Sequence, residues 1–178
     1  SIVIDDEHGG QLAAEHLVEK GHKTIAFLGD IEPLEKISIH PVKSRLTGFK
    51  QVLQEAGLSL PNEYIYSASY TQEESRQGAF ELLSLPKPPT AIFTASDIQA
   101  LSVMKVARQL NIKVPSDLAI IGFDDIDVAE HVDLTTICQH LDESGRLAAE
   151  ILLARISEPK RSLQHINLPL NLIKRMTA

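Results

Sequence analysis

The sequence holds a single cysteine, Cys138, and no tryptophan, and aromatic residues make up only 4% of its 178 positions. One thiol cannot close an internal disulfide, which fits a reducing compartment. No Lys/Arg cluster occurs along a chain whose formal net charge is −7. Without a basic face there is no counterion-releasing surface for nucleic acid, so any DNA contact has to come from a segment outside this chain. Apolar runs are too short to cross a bilayer, and the start at Ser1 has neither the basic nor the apolar region of a secretory leader, so a cytoplasmic location without membrane contact is expected. The chain opens in a strand-like run with no initiating Met and reads as a fragment whose upstream part, and any leader with it, has been removed. A GxSxG elbow, a Walker loop, a GxGxxG after a strand and a recognisable Cys/His pair are all missing, so the chain is expected not to be an enzyme and to need no cofactor.

What is present is a 43% hydrophobic chain, long enough to bury a real core. Short β-branched and apolar runs alternate with longer amphipathic stretches, the βαβα rhythm of a mostly parallel sheet with helices on both faces. The strand candidates are Ile2 to Ile4, Thr24 to Leu28, Tyr64 to Tyr66, Thr90 to Thr94 and Leu118 to Phe123. Most are continuously apolar, as two-sided buried strands are. Ala13, Leu17 and Val18 form a helical stripe stopped by Gly21, and Leu46, Phe49, Leu53 and Ala56 form another stopped by Gly57. Thr71 and Glu74 make a capping box for the helix through Phe80 and Leu83. Further stripes run from Ala100 to Leu110 and from Leu147 to Leu152. Strict alternation over Ile166 to Leu172 predicts a strand with one wet face, and Pro169 makes it an edge strand or a bulged one.

Ligands of open parallel sheets bind beyond the carboxyl ends of the strands. There the sequence places Gly29-Asp30, Ser96-Asp97 and Asp124-Asp125, with Tyr70 after the shorter strand and Arg45 near the start of its helix. Carboxylates that accept, a guanidinium that donates twice and a ring that stacks suit a hydroxyl-rich or heterocyclic ligand. Plainer readings stand beside these. Asp97 reads as an N-cap, Asp124 could be another, Arg45 could lie on a solvated face, Tyr70 could be packing, and His16 could sit at the core edge. His131, Cys138 and His140 fit no standard zinc spacing, and no metal is expected.

Seven stretches in order resemble the LacI/GalR family of repressors from the first residue to the last. They begin at Val3-Ile-Asp-Asp, His16-Leu-Val-Glu-Lys-Gly-His, Ser44-Arg-Leu-Thr-Gly-Phe, Pro89-Thr-Ala-Ile-Phe-Thr-Ala-Ser-Asp, Val114-Pro-Ser-Asp, Leu134-Thr-Thr-Ile-Cys-Gln and Leu172-Ile-Lys-Arg. The resemblance implies a periplasmic-binding-protein-like α/β fold of Rossmann-like lobes. Residues 22–137 and 166–178 would form a nearly complete distal lobe, and 1–20 and 140–165 part of the lobe nearer DNA. It implies a small-molecule effector (a sugar, sugar phosphate or purine) held by Arg45, Tyr70, Ser96, Asp124, Gln139 at the crossover and His8 from the other lobe. It also implies a homodimer, with the helix from Asp97 to Leu110 near the dimer surface, and operator DNA bound by an absent helix-turn-helix domain. Ser96 stands where many members carry Asn, and the stretch Ile31 to Lys43 is longer than usual, so the ligand cannot be copied from a relative. A periplasmic sugar-binding protein of a transporter is the alternative.

Overall fold

The computed structural model describes residues 1–31, 40–69 and 71–178. Its elements alternate as the periodicity predicts: β1 (Ile2–Ile4), α1 (Asp6–Glu19), β2 (Ile25–Gly29), α2 (Pro41–Glu55), β3 (Ile65–Ser67), α3 (Gln72–Leu83), β4 (Ala91–Thr94), α4 (Asp97–Gln109) and β5 (Ala119–Asp124). Then follow α5 (Asp127–His131), β6 (Thr135–Cys138), α6 (Leu141–Ser157), β7 (Ile166–Leu168) and β8 (Asn171–Ile173). One sheet has the order β3-β2-β4-β5-β6-β8, parallel except for β8, and a second consists of β1 and β7 alone, also parallel.

The central strands are buried on both sides, and alternate residues feed two cores. Ile25 and Phe27 of β2 face a core shared with α1 and α2, whereas Ala26 and Leu28 face one shared with α3 and α4. Phe27, Phe49 and Phe93 fill the first core with ring centroids 5.0 to 6.2 Å apart. Both predicted glycine stops hold, with Gly21 at φ 84° and Gly57 at φ 72°, left-handed positions that close α1 and α2. Thr71 accepts from Glu74 N at 3.3 Å, but the Glu74 carboxylate closes the box on Ser69 N at 2.9 Å rather than on Thr71 itself.

Tertiary packing moves two expected boundaries. α1, assigned above to the lobe nearer DNA, contributes Ala13, Ala14 and Leu17 to the six-stranded sheet's core. It crosses α2 where each helix carries a glycine: a Cβ on Gly10 would overlap the Arg45 carbonyl, and one on Gly48 the Glu7 carbonyl. The packing therefore changes between β1 and α1, not after Lys20. The alternating run after Ile166 is likewise two strands rather than one. β7 pairs with β1, β8 pairs antiparallel with β6 at the edge of the larger sheet, and Pro169 and Leu170 carry the chain between them. A proline without an N–H suits such a break. Two short elements, α5 and β6, were not among the predicted ones, because Thr-Thr-Ile-Cys is too short and too mixed to show a period.

α6 has no buried residue along its length, and Leu152, Leu153 and Ile156 are each at least 60% exposed. No helix among the described residues is long and apolar enough to cross a membrane.

Candidate functional site

β4, β5 and β6 end at one edge of the sheet, where the first turn of α1 and the second turn of α2 also arrive. Arg45 lies there, only 7% exposed. Its Nε donates to Asp6 Oδ1 at 2.8 Å, its Nη1 donates to the Ala95 carbonyl at 2.6 Å, and its guanidinium carbon stands 3.5 Å from the centroid of the Phe123 ring. Salt bridge, main-chain bond and ring contact together fix the fork in one orientation. Its Nη2 makes no hydrogen bond among the described residues. Asp124 follows Phe123 directly and accepts from Gln139 Nε2 across the gap between the ends of β5 and β6. Burial pushes the Asp124 carboxyl up to about 6, a shift the nearby Arg45 guanidinium opposes and Asp97 reinforces. Asp125 turns away and pairs with Arg175 Nη2 at 2.8 Å, as neighbouring side chains in a turn do.

The sequence-predicted residues are not all brought together. Arg45, Asp124 and Gln139 form one cluster. Ser96 is one residue from the Ala95 carbonyl that holds Arg45, yet its hydroxyl is engaged within α4: it accepts from Gln99 N at 3.3 Å and donates to Gln99 Oε1 at 3.3 Å. Ser96, not Asp97, is therefore the N-cap of α4, and the reading of Asp97 as the cap is corrected. His8 lies exposed on the first turn of α1, with Nδ1 3.4 Å from Gln11 Oε1. Tyr70 lies outside the described residues, as does most of the stretch from Ile31 to Lys43. Asp6 was missed, although the Asp-Asp pair before a glycine-opened helix was visible. Nothing local marks which of the two acids meets an arginine 39 residues away.

Beside the cluster opens a cleft of about 620 Å³, lined by Asp124, Asp125, Cys138, His140 and Asp142 among others. It lies between the end of β5 and the start of α6. His140 enters it from the crossover with a left-handed backbone, φ 53°, and its Nε2 stands 2.9 Å from Asn171 Nδ2. Burial, with Asp125 nearby, holds the Cys138 thiol above its ordinary range and so protonated, unsuited to act as a nucleophile. Among the described residues no three His, Cys, Asp or Glu side chains are placed so that they could together hold a metal ion.

Residues 14–178 match the family described as periplasmic binding protein-like domain. The chain is 37% identical over 172 residues to the ribose operon repressor of Escherichia coli (strain K12), covering 96% of this chain and 51% of that protein. It is 34% identical over 178 residues to the HTH-type transcriptional repressor PurR of Vibrio vulnificus (strain CMCP6), covering 99% of this chain and 52% of that protein. A LacI family transcriptional regulator from Enterococcus faecium, solved with bound ribose, is similar with a TM-score of 0.86 at 31% identity, covering 99% of this chain and 64% of that one. The chain thus spans about half the length of the curated relatives it matches. These relatives are transcriptional repressors by name, not enzymes. On the fold, the order of its motifs and these likenesses, the chain belongs to the periplasmic binding protein-like domain family, and within it to the LacI-type regulators.

Proposed function

We propose that this chain is the effector-binding part of a transcriptional repressor and that its effector is a small, neutral, hydroxyl-rich metabolite of the sugar class. The carrying observation is the clamped Arg45: its guanidinium is bonded to Asp6, lies over the Phe123 ring and acts electrostatically on the Asp124 carboxylate. Acidic groups outnumber the cation, which disfavours an anionic ligand such as a sugar phosphate. Vicinal hydroxyls, by contrast, can donate to Asp124 and accept from the remaining guanidinium N–H. Gln139 donates to Asp124, so a ligand hydroxyl bonding that carboxylate oxygen would compete with it. Ser96, His8 and Tyr70 complete the proposed set of ligand-facing positions. Ribose in the Enterococcus faecium structure and in the Escherichia coli repressor's name makes a pentose the first candidate.

The uncovered face of α6 and the two-stranded β1–β7 sheet support a second lobe, built mainly from polypeptide outside this chain, that closes over the ligand. Differential affinity of the ligand for two lobe arrangements would then set the affinity of a separate DNA-binding domain for its operator, most simply in a homodimer on a palindromic site in the cytoplasm. A transporter's sugar-binding protein shares the fold, but the curated relatives named above are repressors.

Calorimetric titration of the full-length protein with D-ribose, ribose 5-phosphate and hypoxanthine tests this reading. Ribose should bind, Arg45→Ala and Asp124→Ala should each weaken it about thirtyfold or more, and saturation should change operator affinity. Tight binding of the phosphate, or ribose binding indifferent to both substitutions, would overturn it.

A further inference from the structure

Asp97 is completely buried and is not the cap of its own helix. Its Oδ2 accepts from the Ile126 N–H at 2.9 Å, and its Oδ1 accepts from Thr136 Oγ1 at 2.5 Å. One carboxylate thus joins the start of α4, the turn after β5 and the middle of β6. Between it and β5 there is room only for glycine, because a Cβ on Gly122 would overlap Oδ1. The turn it holds is unusual: Asp124 and Asp125 both have positive φ, 117° and 56°. L-residues keep such backbone only where their surroundings over-determine it.

We propose that Asp97 is a positioning residue for the ligand site, anchoring the turn after β5 and so fixing where the Asp124 carboxylate stands. The inference rests on the reading of Asp124 as a ligand contact. A second link is electrostatic. Asp97 raises the Asp124 carboxyl, and burial pushes Asp97 itself up to about 6. The other charged groups facing Asp124 are Arg45 from α2 and Asp6 from α1, while Asp125 faces Asp97. β6 and the crossover bring Thr136 and Gln139 as hydrogen-bond donors, and the titratable Cys138 and His140 line the same cleft as Asp124. The anchor that shapes the site therefore also tunes the protonation of its ligand-facing acid.

Two substitutions separate geometry from charge in the full-length protein. Asp97→Asn keeps an acceptor for Ile126 and a partner for Thr136 but removes the charge. It should leave D-ribose affinity at about pH 8 within about threefold of wild type while lowering the Asp124 titration, read by carboxyl-carbon NMR, by about half a unit or more. Asp97→Ala removes both bonds and should weaken ribose about tenfold or more at the same pH, with far-ultraviolet circular dichroism unchanged. Should the alanine variant fail to fold, Thr136→Val deletes one of the two bonds and should weaken ribose by about threefold or more. An Asp124 titration unmoved by Asp97→Asn overturns the inference, as does wild-type ribose affinity in a folded Asp97→Ala or in Thr136→Val. If wild type binds no ribose, the proposed function fails instead, and the Asp124 titration in the asparagine variant alone decides whether Asp97 governs that carboxyl.

Discussion

α1 and α6 are both amphipathic helices of more than three turns, yet their fates differ completely. α1 buries Ala13, Ala14 and Leu17 and lies close enough to α2 that glycine is required at the crossing, whereas α6 buries nothing. Both stripes are legible in the sequence as apolar faces, and neither says what it will face. The difference teaches that a period of 3.6 residues reports the need for a partner, while the partner itself is set by chain topology.

The comparison can be broken most forcefully at the glycines. Gly10→Val drives a side chain into the Arg45 carbonyl and should destabilise the six-stranded region by about 3 kcal/mol or more, read as a collapse of the denaturant midpoint. In α6, Gly145 has nothing within 4 Å of where a Cβ would sit. There Gly145→Ala should instead raise stability by about 0.5 to 1 kcal/mol, seen as a small rise in Tm.

Ion pairs supply the next contrast. Arg45 pairs with Asp6 at side-chain exposures of 8% and 15%, while Arg146 on α6 pairs with Glu143 and Glu150 in the open. Arg45→Ala leaves the largely shielded Asp6 without its partner and near the half-buried Asp124 carboxylate, and should cost about 3 kcal/mol or more by chemical denaturation. Arg146→Ala should leave the same curve where it was. Equal losses from the two would mean that the sheet-edge cluster contributes no more to stability than a solvated pair.

Protonation sharpens the picture with a smaller effect. Asp97 and Asp124 titrate at about 6 in the fold against an ordinary 3.8, raised first by burial. The folded state thus holds their protons more tightly than the unfolded one, so their contribution to stability is complete at pH values below the ordinary 3.8 and is lost as pH climbs through about 6. His16 and His22 work the opposite way: burial lowers both from 6.5, so their contribution is present above that value and is lost as pH falls. Melting curves across this range should therefore show two opposing slopes. Asp97→Asn should flatten the loss on the alkaline side and His16→Gln the loss on the acid side; slopes that survive both substitutions would assign them elsewhere.

Much of the fold was readable because the signals are local. Gly21 and Gly57 stop helices where they stand, Thr71 caps the next one, and two-sided apolar runs at Thr24, Thr90 and Leu118 leave a buried parallel sheet as the economical solution. That Arg45 and Asp124 lie near each other at one sheet edge was legible in part for the same reason, since strand ends and helix starts can be located from periodicity and a parallel sheet brings them to one edge, whereas their proposed contact with a ligand came from the family resemblance. Asp6 and the second role of Asp97 were not found. Their partners, Arg45, Ile126 and Thr136, lie 29 to 39 residues away, beyond any window in which spacing carries information.

The sequence by itself determined the alternation of strands and helices, the stops and caps between them, the regulator-like order of motifs and the edge at which polar side chains collect. The alternation, stops and caps follow from interactions within a turn or two of the chain, the shared edge from the parallel sheet that the alternation implies, and the motif order from resemblance. Only the tertiary structure decided that α1 joins the larger sheet, that the run around Pro169 divides between two sheets, that Ser96 rather than Asp97 caps α4, and that Arg45 is held by Asp6. Those outcomes depend on which surfaces meet once the chain has closed on itself, a choice governed by burial and complementarity across long sequence separations.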